Sequence, residues 1–371
     1  MNRRLAFIDT LRGVAVLSVV LQHSLELIVS SHTTGKYYWG FQDAIGYYFN
    51  FGRFGVVLFF FVSGFVIPYS FPKTATPVRD FTISRFFRLY PAYWLSILIG
   101  LILMPLLAEG TYPLRQIVVN LTMFQTFVNV PNLWVFYWTL SIELIFYIGC
   151  IGLFAMGLLN QRLTAFYIVV AASLIGIVGP LIVNYWIVWR LMEVALNLTA
   201  MFLGKVVRDT VIGGRLRWWH VAIGASLYCV FAVTISLKLY GGYGSEYHEN
   251  FFFGYGIASA YVGAAIMFIF FAAFGERMSS RYMAFVGVVS YSVYLTSPFV
   301  IVWISYAFGV GSRPVEWAVL VVGAAALSVL VSWLTYSIVE KPLISYGHRF
   351  RSRSSPAVAL EPSLRGQGAA E

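Results

Sequence analysis

The first apolar stretch of the chain carries three polar side chains that could perform acid–base chemistry. Arg12 and His23 are 11 residues apart, which in an α-helix corresponds to three turns plus about 20° and a rise of about 16 Å. Both side chains therefore lie on one helix face, and Glu26 shares that face with His23. A carboxylate at this spacing can orient and polarise an imidazole that acts as a base. Each residue also has a structural explanation if it is considered alone. His23 could be a buried histidine bonded to a neighbouring helix, and Arg12 could be an interfacial anchor.

Two later stretches could bind or act on a ligand. Arg85 and Arg88 are one helical turn apart, so both guanidinium groups face one side and can hold a polyanion such as a pyrophosphate. The alternative is that they only set membrane topology. Glu143 lies four residues from Thr139 and four from Tyr147, which gives a polar stripe on an apolar helix. A carboxylate there is hard to explain by packing, because Leu or Met would fill the same volume without a desolvation cost.

Two other polar groups have a structural interpretation. Arg190 and Glu193 are three residues apart in an apolar stretch, so they can neutralise each other as an ion pair. Ser63 and Gly64 offer a small surface at which two helices can approach closely. Packing is the simpler explanation for both.

The composition indicates a membrane protein. The 371 residues are 60% hydrophobic and 11% charged, with a mean hydropathy of +0.78, whereas soluble domains contain about 25% charged residues. The net charge of +10 lies in short clusters between apolar runs, where it sets topology, so we exclude nucleic acid as a partner. Cys150 and Cys229 lie in apolar runs without CxxC or Cys/His spacing, and we expect neither a disulfide nor a bound metal.

We predict an all-α polytopic bundle of ten transmembrane helices with both termini in the cytoplasm. Of the 25 Lys and Arg residues, 18 fall on the N-terminal side and five, including Arg53, on the other. Residues 1–345 form a single transmembrane domain and residues 346–371 a disordered cytoplasmic tail, while residues 109–133 form one of the short, partly aromatic outer loops. The predicted spans lie near 8–30, 53–71, 89–108, 134–158, 164–183, 185–204, 217–238, 253–274, 283–307 and 316–338.

Six short motifs follow one another along the chain. They are Arg12-x10-His23, Phe-Phe-x-x-Ser63-Gly64-Phe65, Arg85-x-x-Arg88-x-x-Pro91-x-Tyr93, Trp138-x-Leu-Ser141-x-Glu143-x-x-x-Tyr147, Ser290-Tyr291-Ser292-x-Tyr294-Leu295 and Glu340-Lys341-Pro342. In this order the motifs resemble the acyltransferase 3 family of membrane O-acyltransferases, which includes enzymes that acetylate polysaccharide and lipopolysaccharide. One departure is Ser297, which stands where many members of that family have His.

The resemblance implies an acyl-CoA-dependent O-acyltransferase of the inner (cytoplasmic) membrane. Such an enzyme transfers an acyl group, usually acetyl, from cytoplasmic acyl-CoA to a hydroxyl of a cell-surface or lipid-linked carbohydrate. His23 would be the general base or the acyl carrier, assisted by Glu26 or Glu143. The implied donor-binding residues are Arg12, Arg85, Arg88, Tyr93 and Ser63, and the implied substrate-binding residues are Trp138, Ser141, Tyr147, Tyr291 and Tyr294.

Two other classes of protein could carry similar residues. A secondary transporter of a small anion or of protons would also place His, Glu and Arg inside spans, but the sequence has neither inverted repeats nor paired Gly/Pro-broken helices in its two halves. A non-catalytic assembly subunit would need neither a basic clamp nor a histidine deep in a span. The sequence therefore favours the acyltransferase, with membrane lipids, acyl-CoA and a carbohydrate as its partners.

Overall fold

The computed structural model describes residues 6–31, 43–106, 112–183, 185–241, 253–275, 277–311 and 313–352. Ten helical stretches in this part are long and apolar enough to cross a membrane, and each overlaps one predicted span. The prediction of an all-α polytopic bundle is confirmed. The helices are α1 (Ala6–Ser31), α2 (Phe51–Val66), α3 (Pro77–Leu106), α4 (Leu114–Asn120), α5 (Trp138–Ala155), α6 (Thr164–Ile182), α7 (Trp186–Val211), α8 (Trp218–Tyr240), α9 (Gly254–Phe274), α10 (Arg281–Val288), α11 (Ser290–Phe308), α12 (Pro314–Thr335) and α13 (Lys341–Gly347).

Two of the spans are interrupted helices. Residues Arg281–Val288 and Ser290–Phe308 form the ninth span as two helices that meet at Val289. The tenth span continues from α12 through a π-helical turn, Tyr336–Glu340, into α13. Such turns often occur at functional sites. Both interruptions lie towards the face of the bundle at which α1 begins, which we call the N-terminal face.

The chain remains ordered beyond the predicted end of the transmembrane domain. The rings of Tyr346 and Phe350 pack against Phe87 of α3, and the backbone N–H of Ser352 donates to Asp80 at 3.1 Å. The first seven residues of the segment predicted as a disordered tail are therefore folded against α3. Residues 353–371 lie outside the described part of the chain, and for them the tail remains a prediction.

Glycines allow the central helices to approach closely. A Cβ atom at Gly64 of α2 would overlap the carbonyl oxygen of Met201 in α7, and a Cβ atom at Gly204 of α7 would overlap that of Phe61. The two glycines thus form a reciprocal contact, of the kind that small residues provide between membrane helices. Helix α1 packs against α2, α10, α11 and α12, which places it at the centre of the site described below.

The connection between α3 and α5 folds back into the bundle. Three side chains of α3 donate to its consecutive carbonyl oxygens: Tyr93 to Asn120 at 2.7 Å, Trp94 to Leu121 at 2.8 Å and Tyr90 to Thr122 at 2.8 Å. These donors lie at least about 18 Å from either end of α3, given a rise of 1.5 Å per residue. We call residues 112–137 the re-entrant segment. Residues 109–133 were predicted as a short, partly aromatic outer loop; apolar runs alone did not indicate that its described residues bond to the middle of α3.

The contact between α2 and α7 can be tested with a matched pair of glycines. Gly64→Ala should lower the free energy of unfolding by about 1–3 kcal/mol, because its methyl group has no space beside the Met201 carbonyl. Gly323→Ala in α12 should be neutral or stabilising, since nothing lies within 4 Å of the added Cβ atom. Thermal unfolding of both variants in detergent would measure the difference. Equal melting temperatures would show that the helices are not in close contact at Gly64.

Candidate active site

A cavity of about 310 Å³ lies between α1, α2, α3, α5 and α11. Its volume is at the lower end of the range for small-molecule sites, about 300–1,000 Å³. The end nearer the N-terminal face is charged, and the other end is mostly apolar. The cavity brings together seven residues singled out in the sequence, which are Arg12, Ser63, Arg85, Arg88, Glu143, Tyr291 and Tyr294.

Guanidinium groups dominate the charged end of the cavity. Arg12 forms an ion pair with Asp9 at 3.7 Å, and it interacts electrostatically with Arg88, Glu340 and Glu143. Among the described residues, Arg88 has neither a hydrogen bond nor an ion pair with another side chain. Since guanidinium groups bind phosphate through paired, charge-assisted hydrogen bonds, this end is suited to a phosphate-bearing ligand.

Neighbouring side chains hold the Arg85 guanidinium in place. One of its terminal nitrogens donates to Ser70 Oγ at 2.5 Å, and its guanidinium lies 5.2 Å from the ring centre of Phe81 and 5.6 Å from that of Tyr147. Its Nε atom is buried and has no hydrogen-bond partner within the described part of the chain. A buried donor without a partner is costly, so Nε is a position at which a ligand would complete the site.

Ser290 is a cavity residue to which the sequence assigned no role. It is fully buried, and its hydroxyl finds no hydrogen-bond partner among the described residues. Other hydroxyls in the bundle, such as those of Ser24 and Thr199, donate to the carbonyl four residues earlier in the same helix. Ser290 begins α11, so the corresponding carbonyl belongs to α10, beyond the break at Val289. Its hydroxyl is therefore available to a ligand.

Two carboxylates support the charged end of the cavity. Glu143 lines the cavity and accepts a hydrogen bond from the Tyr147 hydroxyl at 2.5 Å. Glu340, from the motif that follows the last span, is buried and accepts a hydrogen bond from Ser292 at 2.8 Å. It also interacts electrostatically with Arg88 and Arg12. Tyr147 therefore contacts Glu143 and does not itself line the cavity.

The other end of the cavity is closed by side chains of α5 and α11. Phe59 and Phe60 line its walls. The Tyr294 hydroxyl donates to the Phe136 carbonyl at 2.8 Å and lies 2.8 Å from the Thr139 hydroxyl. These bonds satisfy the polar groups of both residues and leave an uncharged, narrow end.

His23 lies beyond this cavity, and its pairing with Glu26 is confirmed. His23 Nδ1 is 3.0 Å from Glu26 Oε2, and Gln22 donates to Glu26 Oε1 at 2.9 Å. The Gln22 side-chain oxygen accepts from the backbone N–H of Phe51 at 2.9 Å, which ties the group to the start of α2. In the neutral tautomer that donates from Nδ1 to the carboxylate, the lone pair is on Nε2, as a general base requires. Gln22, four residues before Glu26, had not been recognised in the sequence.

Along α2, the cavity ends about one helical turn from the residue that contacts Gln22, the neighbour of His23. Val56 lines the cavity, and Gly52, four residues earlier in α2, lies against the side chain of Gln22. Four residues of helix correspond to about 6 Å. The charged end of the cavity lies further away, since Arg12 and His23 are about 16 Å apart along α1.

Three residues predicted to bind donor or substrate have other contacts in the structure. Tyr93 donates to the Asn120 carbonyl and packs against the ring of Tyr137. Ser141 lies 3.1 Å from the Thr126 hydroxyl in the re-entrant segment. The third, Trp138, packs against a polar cluster described next. None of the three lines the cavity, and their binding roles remain predictions.

The polar cluster beside Trp138 is centred on Arg53. This residue, counted as an outer-side charge in the sequence, is buried in α2, 3.1 Å from Glu193 and 4.9 Å from the centre of the Trp138 ring. The predicted ion pair of Arg190 with Glu193 is confirmed at 3.2 Å, and Tyr240 also donates to Glu193, at 2.5 Å. The sequence did not indicate that Arg53 is buried, because the carboxylate that pairs with it lies in a helix distant in sequence.

Ser297 is fully buried in α11 and does not line the cavity. Its hydroxyl has no hydrogen-bond partner in the described ranges.

Comparison with known proteins gives one match. The profile of a family described as an acyltransferase domain matches residues 5–337, nearly the whole chain. No curated protein and no solved structure matches. The matched range contains every cavity residue named above and the His23–Glu26 pair.

The charged end of the cavity predicts binding of phosphate-bearing ligands. ADP should raise the melting temperature of the protein, and Arg88→Gln should weaken ADP binding at least about tenfold, because a charge-assisted hydrogen bond contributes about 1.5–3 kcal/mol. Arg313→Gln, at an exposed position on the opposite face, should leave binding unchanged. Thermal-shift titrations of the three proteins would measure this. Equal weakening by both substitutions would mean that ADP responds to overall charge and not to this cavity.

Proposed function

We propose that this chain, which belongs to the acyltransferase 3 family, transfers an acyl group, in the simplest case acetyl, from acyl-CoA to a hydroxyl of a cell-surface or lipid-linked carbohydrate. It is a multi-pass membrane protein, and we assign it to the inner membrane with the charged end of the cavity facing cytoplasmic acyl-CoA. The observation that carries the proposal is a cavity lined by guanidinium groups beside α1, the helix that also carries a carboxylate-bound histidine. The family match favours this activity over transport.

The chemistry of acyl-CoA matches the lining of the cavity. Its phosphates would bind Arg12, Arg85 and Arg88, and its uncharged arm would extend between Phe59 and Phe60. Hydrogen-bonding groups along the arm would supply partners for Ser290 Oγ and Arg85 Nε, the two buried polar atoms without partners at this site. A volume of about 310 Å³ suits a slender arm, with the nucleotide remaining at the N-terminal face.

The proposed transfer uses His23 Nε2 as the base. Nε2 removes the proton of the acceptor hydroxyl, the hydroxyl oxygen attacks the thioester carbonyl, and an ester C–O bond forms as the C–S bond breaks. The departing thiolate then takes the proton from the imidazolium, so the products are an O-acyl ester and free CoA. A two-step route, in which Nε2 first carries the acyl group, uses the same atoms.

Glu26 is the carboxylate that would stabilise the imidazolium. It contacts His23 directly and is held by Gln22. Glu143 lies in the donor cavity instead, where it interacts electrostatically with Arg12. We therefore assign to Glu143 the role of ordering the guanidinium groups, while Glu26 supports proton transfer.

Substitution of His23 tests the assignment of the base. His23→Ala should reduce acyl transfer by at least about 100-fold, within the usual contribution of general acid–base catalysis, about 10²–10⁴-fold. ADP binding and melting temperature should be retained, because His23 lies outside the donor cavity. His348→Ala removes an exposed histidine and serves as the control. Release of CoA, measured with a thiol reagent in reconstituted vesicles, is the assay. Wild-type turnover by His23→Ala would exclude His23 as base and as carrier.

Gln22 provides a second test, because it donates to Glu26 and has no hydrogen bond to His23 among the described residues. Gln22→Leu keeps His23 but leaves Glu26 free to turn, so kcat should fall about 10–100-fold, as for other small displacements of a catalytic group. The KM for acyl-CoA should stay within about twofold, since the donor cavity is untouched. Gln161→Leu changes an exposed glutamine and is the matched control. A rise in KM with an unchanged kcat would place Gln22 in donor binding instead.

A further inference from the structure

Arg53 is a buried charge inside the bundle that the proposed reaction does not use. Its guanidinium lies 3.1 Å from the carboxylate of Glu193 in α7. It also donates to the Tyr240 hydroxyl of α8 at 3.1 Å and to the Tyr261 hydroxyl of α9 at 3.4 Å. A charged residue within a membrane span is costly to bury and is by default a functional candidate. Arg53 thus joins α2 to three other helices, although its charge disfavours the position.

Arg53 lies at the depth of the proposed base. Helices α1 and α2 run in opposite directions, because a Cβ atom at Gly55 would meet the carbonyl oxygen of Ala15 while one at Gly52 would meet the side chain of Gln22. The first turn of α2 is therefore level with the half of α1 that is distant from the N-terminal face. Arg53 directly follows Gly52, and Gln22 directly precedes the proposed base.

The start of α2 holds the proposed base through a short series of hydrogen bonds. Helix α2 begins at Phe51, whose backbone N–H donates to the Gln22 side-chain oxygen at 2.9 Å. N–H groups in the first turn of a helix have no partner within that helix, so this bond satisfies one of them. Gln22 in turn donates to Glu26, and Glu26 lies 3.0 Å from His23. A displacement of this turn would therefore move the Gln22 amide and the carboxylate beside the base.

Two parts of Arg53 fix this first turn. Its backbone N–H donates to the Asn50 side chain, the cap of α2, at 2.7 Å. The Asn50 N–H donates to the Gly256 carbonyl of α9 at 3.1 Å. The guanidinium then holds the same turn against α7, α8 and α9 from its side chain. The turn that carries the Phe51 N–H is thus attached to the rest of the bundle at both its cap and its side chain.

The contacts of Arg53 use the particular shape of a guanidinium. One terminal nitrogen lies near Glu193 and Tyr261, and the other lies near Tyr240. The planar group also lies 4.9 Å from the centre of the Trp138 ring. A guanidinium presents its donors in a rigid fork and stacks on aromatic rings, whereas the ammonium group of lysine is a point charge on a flexible stem. An arginine therefore fixes the orientation of this turn more closely than another cation would.

We propose that Arg53 is a positioning residue for the transfer reaction. Through the first turn of α2 it fixes the Gln22 amide, which holds the carboxylate partner of the proposed base in place. Its effect on the reaction passes through these groups and not through contact with the reacting atoms. The inference rests on the proposed acyl transfer and extends the site to a charge cluster on another face of α2.

Two arginines that share one carboxylate provide a matched test. Arg53→Gln should lower kcat for CoA release about 10–100-fold, as small displacements of a catalytic group do. The KM for acyl-CoA and the affinity for ADP should stay within about twofold, because uniform donor binding is unaffected. Arg190→Gln removes the other arginine bonded to Glu193 and should keep kcat within about twofold, since Arg190 and Glu193 both lie on α7 and α2 stays attached. Equal losses of kcat in the two variants would show a general structural effect and overturn the proposal.

A second variant covers the case in which Arg53→Gln does not fold. Arg53→Lys keeps a positive charge beside Glu193 but loses the planar fork, so kcat should fall at least about threefold at an unchanged KM. Thermal unfolding in detergent would identify the folded variant. Wild-type kcat in that variant would overturn the proposal, and so would a raised KM at wild-type kcat.

A double-mutant cycle with Gln22→Leu tests the route from Arg53 to the base. Because Arg53 is proposed to act through Gln22, combining Gln22→Leu with the folded Arg53 variant should lower kcat no more than about threefold beyond the larger single loss. Losses that multiply would show an independent route and overturn the proposal. Wild-type protein that releases no CoA would instead remove the proposed function. Activity lost in His23→Ala but retained in the Arg53 variant would remove this inference alone.

Discussion

The cost of placing charge in hydrocarbon is the constraint on which this structure depends. Inside the bundle, charged groups are paired: Arg53 of α2 and Arg190 of α7 share Glu193 of α7, and Lys205 bonds Asp209, one turn later in α7, at 2.6 Å. Such pairing offsets part of the penalty for burial. By contrast, Arg88 and the Nε of Arg85 have no hydrogen-bond partner in the described chain, and both border the same cavity. A ligand that carries negative charge and hydrogen-bond acceptors would supply the missing hydrogen bonds of these two arginines.

The separation of the donor cavity from His23 has a chemical benefit. A thioester that reaches the end of the cavity is surrounded by Phe59, Phe60 and Tyr294, and the polar groups there are already hydrogen-bonded. In the proposed reaction, exclusion of water from this end would protect the acyl group from hydrolysis. His23, the proposed base, is fixed from the opposite direction, through Gln22 and the start of α2. The donor and acceptor parts of the site can therefore be arranged independently of each other.

The ten spans and the Arg85–Arg88 and His23–Glu26 pairs could be predicted from the sequence, because they follow from apolar runs and from helical spacing within one element. Residues whose role depends on a contact with another helix could not be predicted from the sequence. Arg53 borders an apolar run and resembles a topology signal until Glu193 is placed beside it. Ser290 becomes significant only because the ninth span breaks at Val289. The re-entrant segment was missed for the same reason, since hydropathy detects a gap between spans but not its depth.

The carboxyl-terminal residues of the described chain are attached to the helix that carries the guanidinium pair. Phe350 stacks on Phe87, and the backbone of Ser352 is bonded to Asp80, within two turns of Arg85 and Arg88 on α3. Movement of α3 during a catalytic cycle would therefore displace residue 352 as well. A fluorophore attached there would report a movement of α3 from a position away from the cavity.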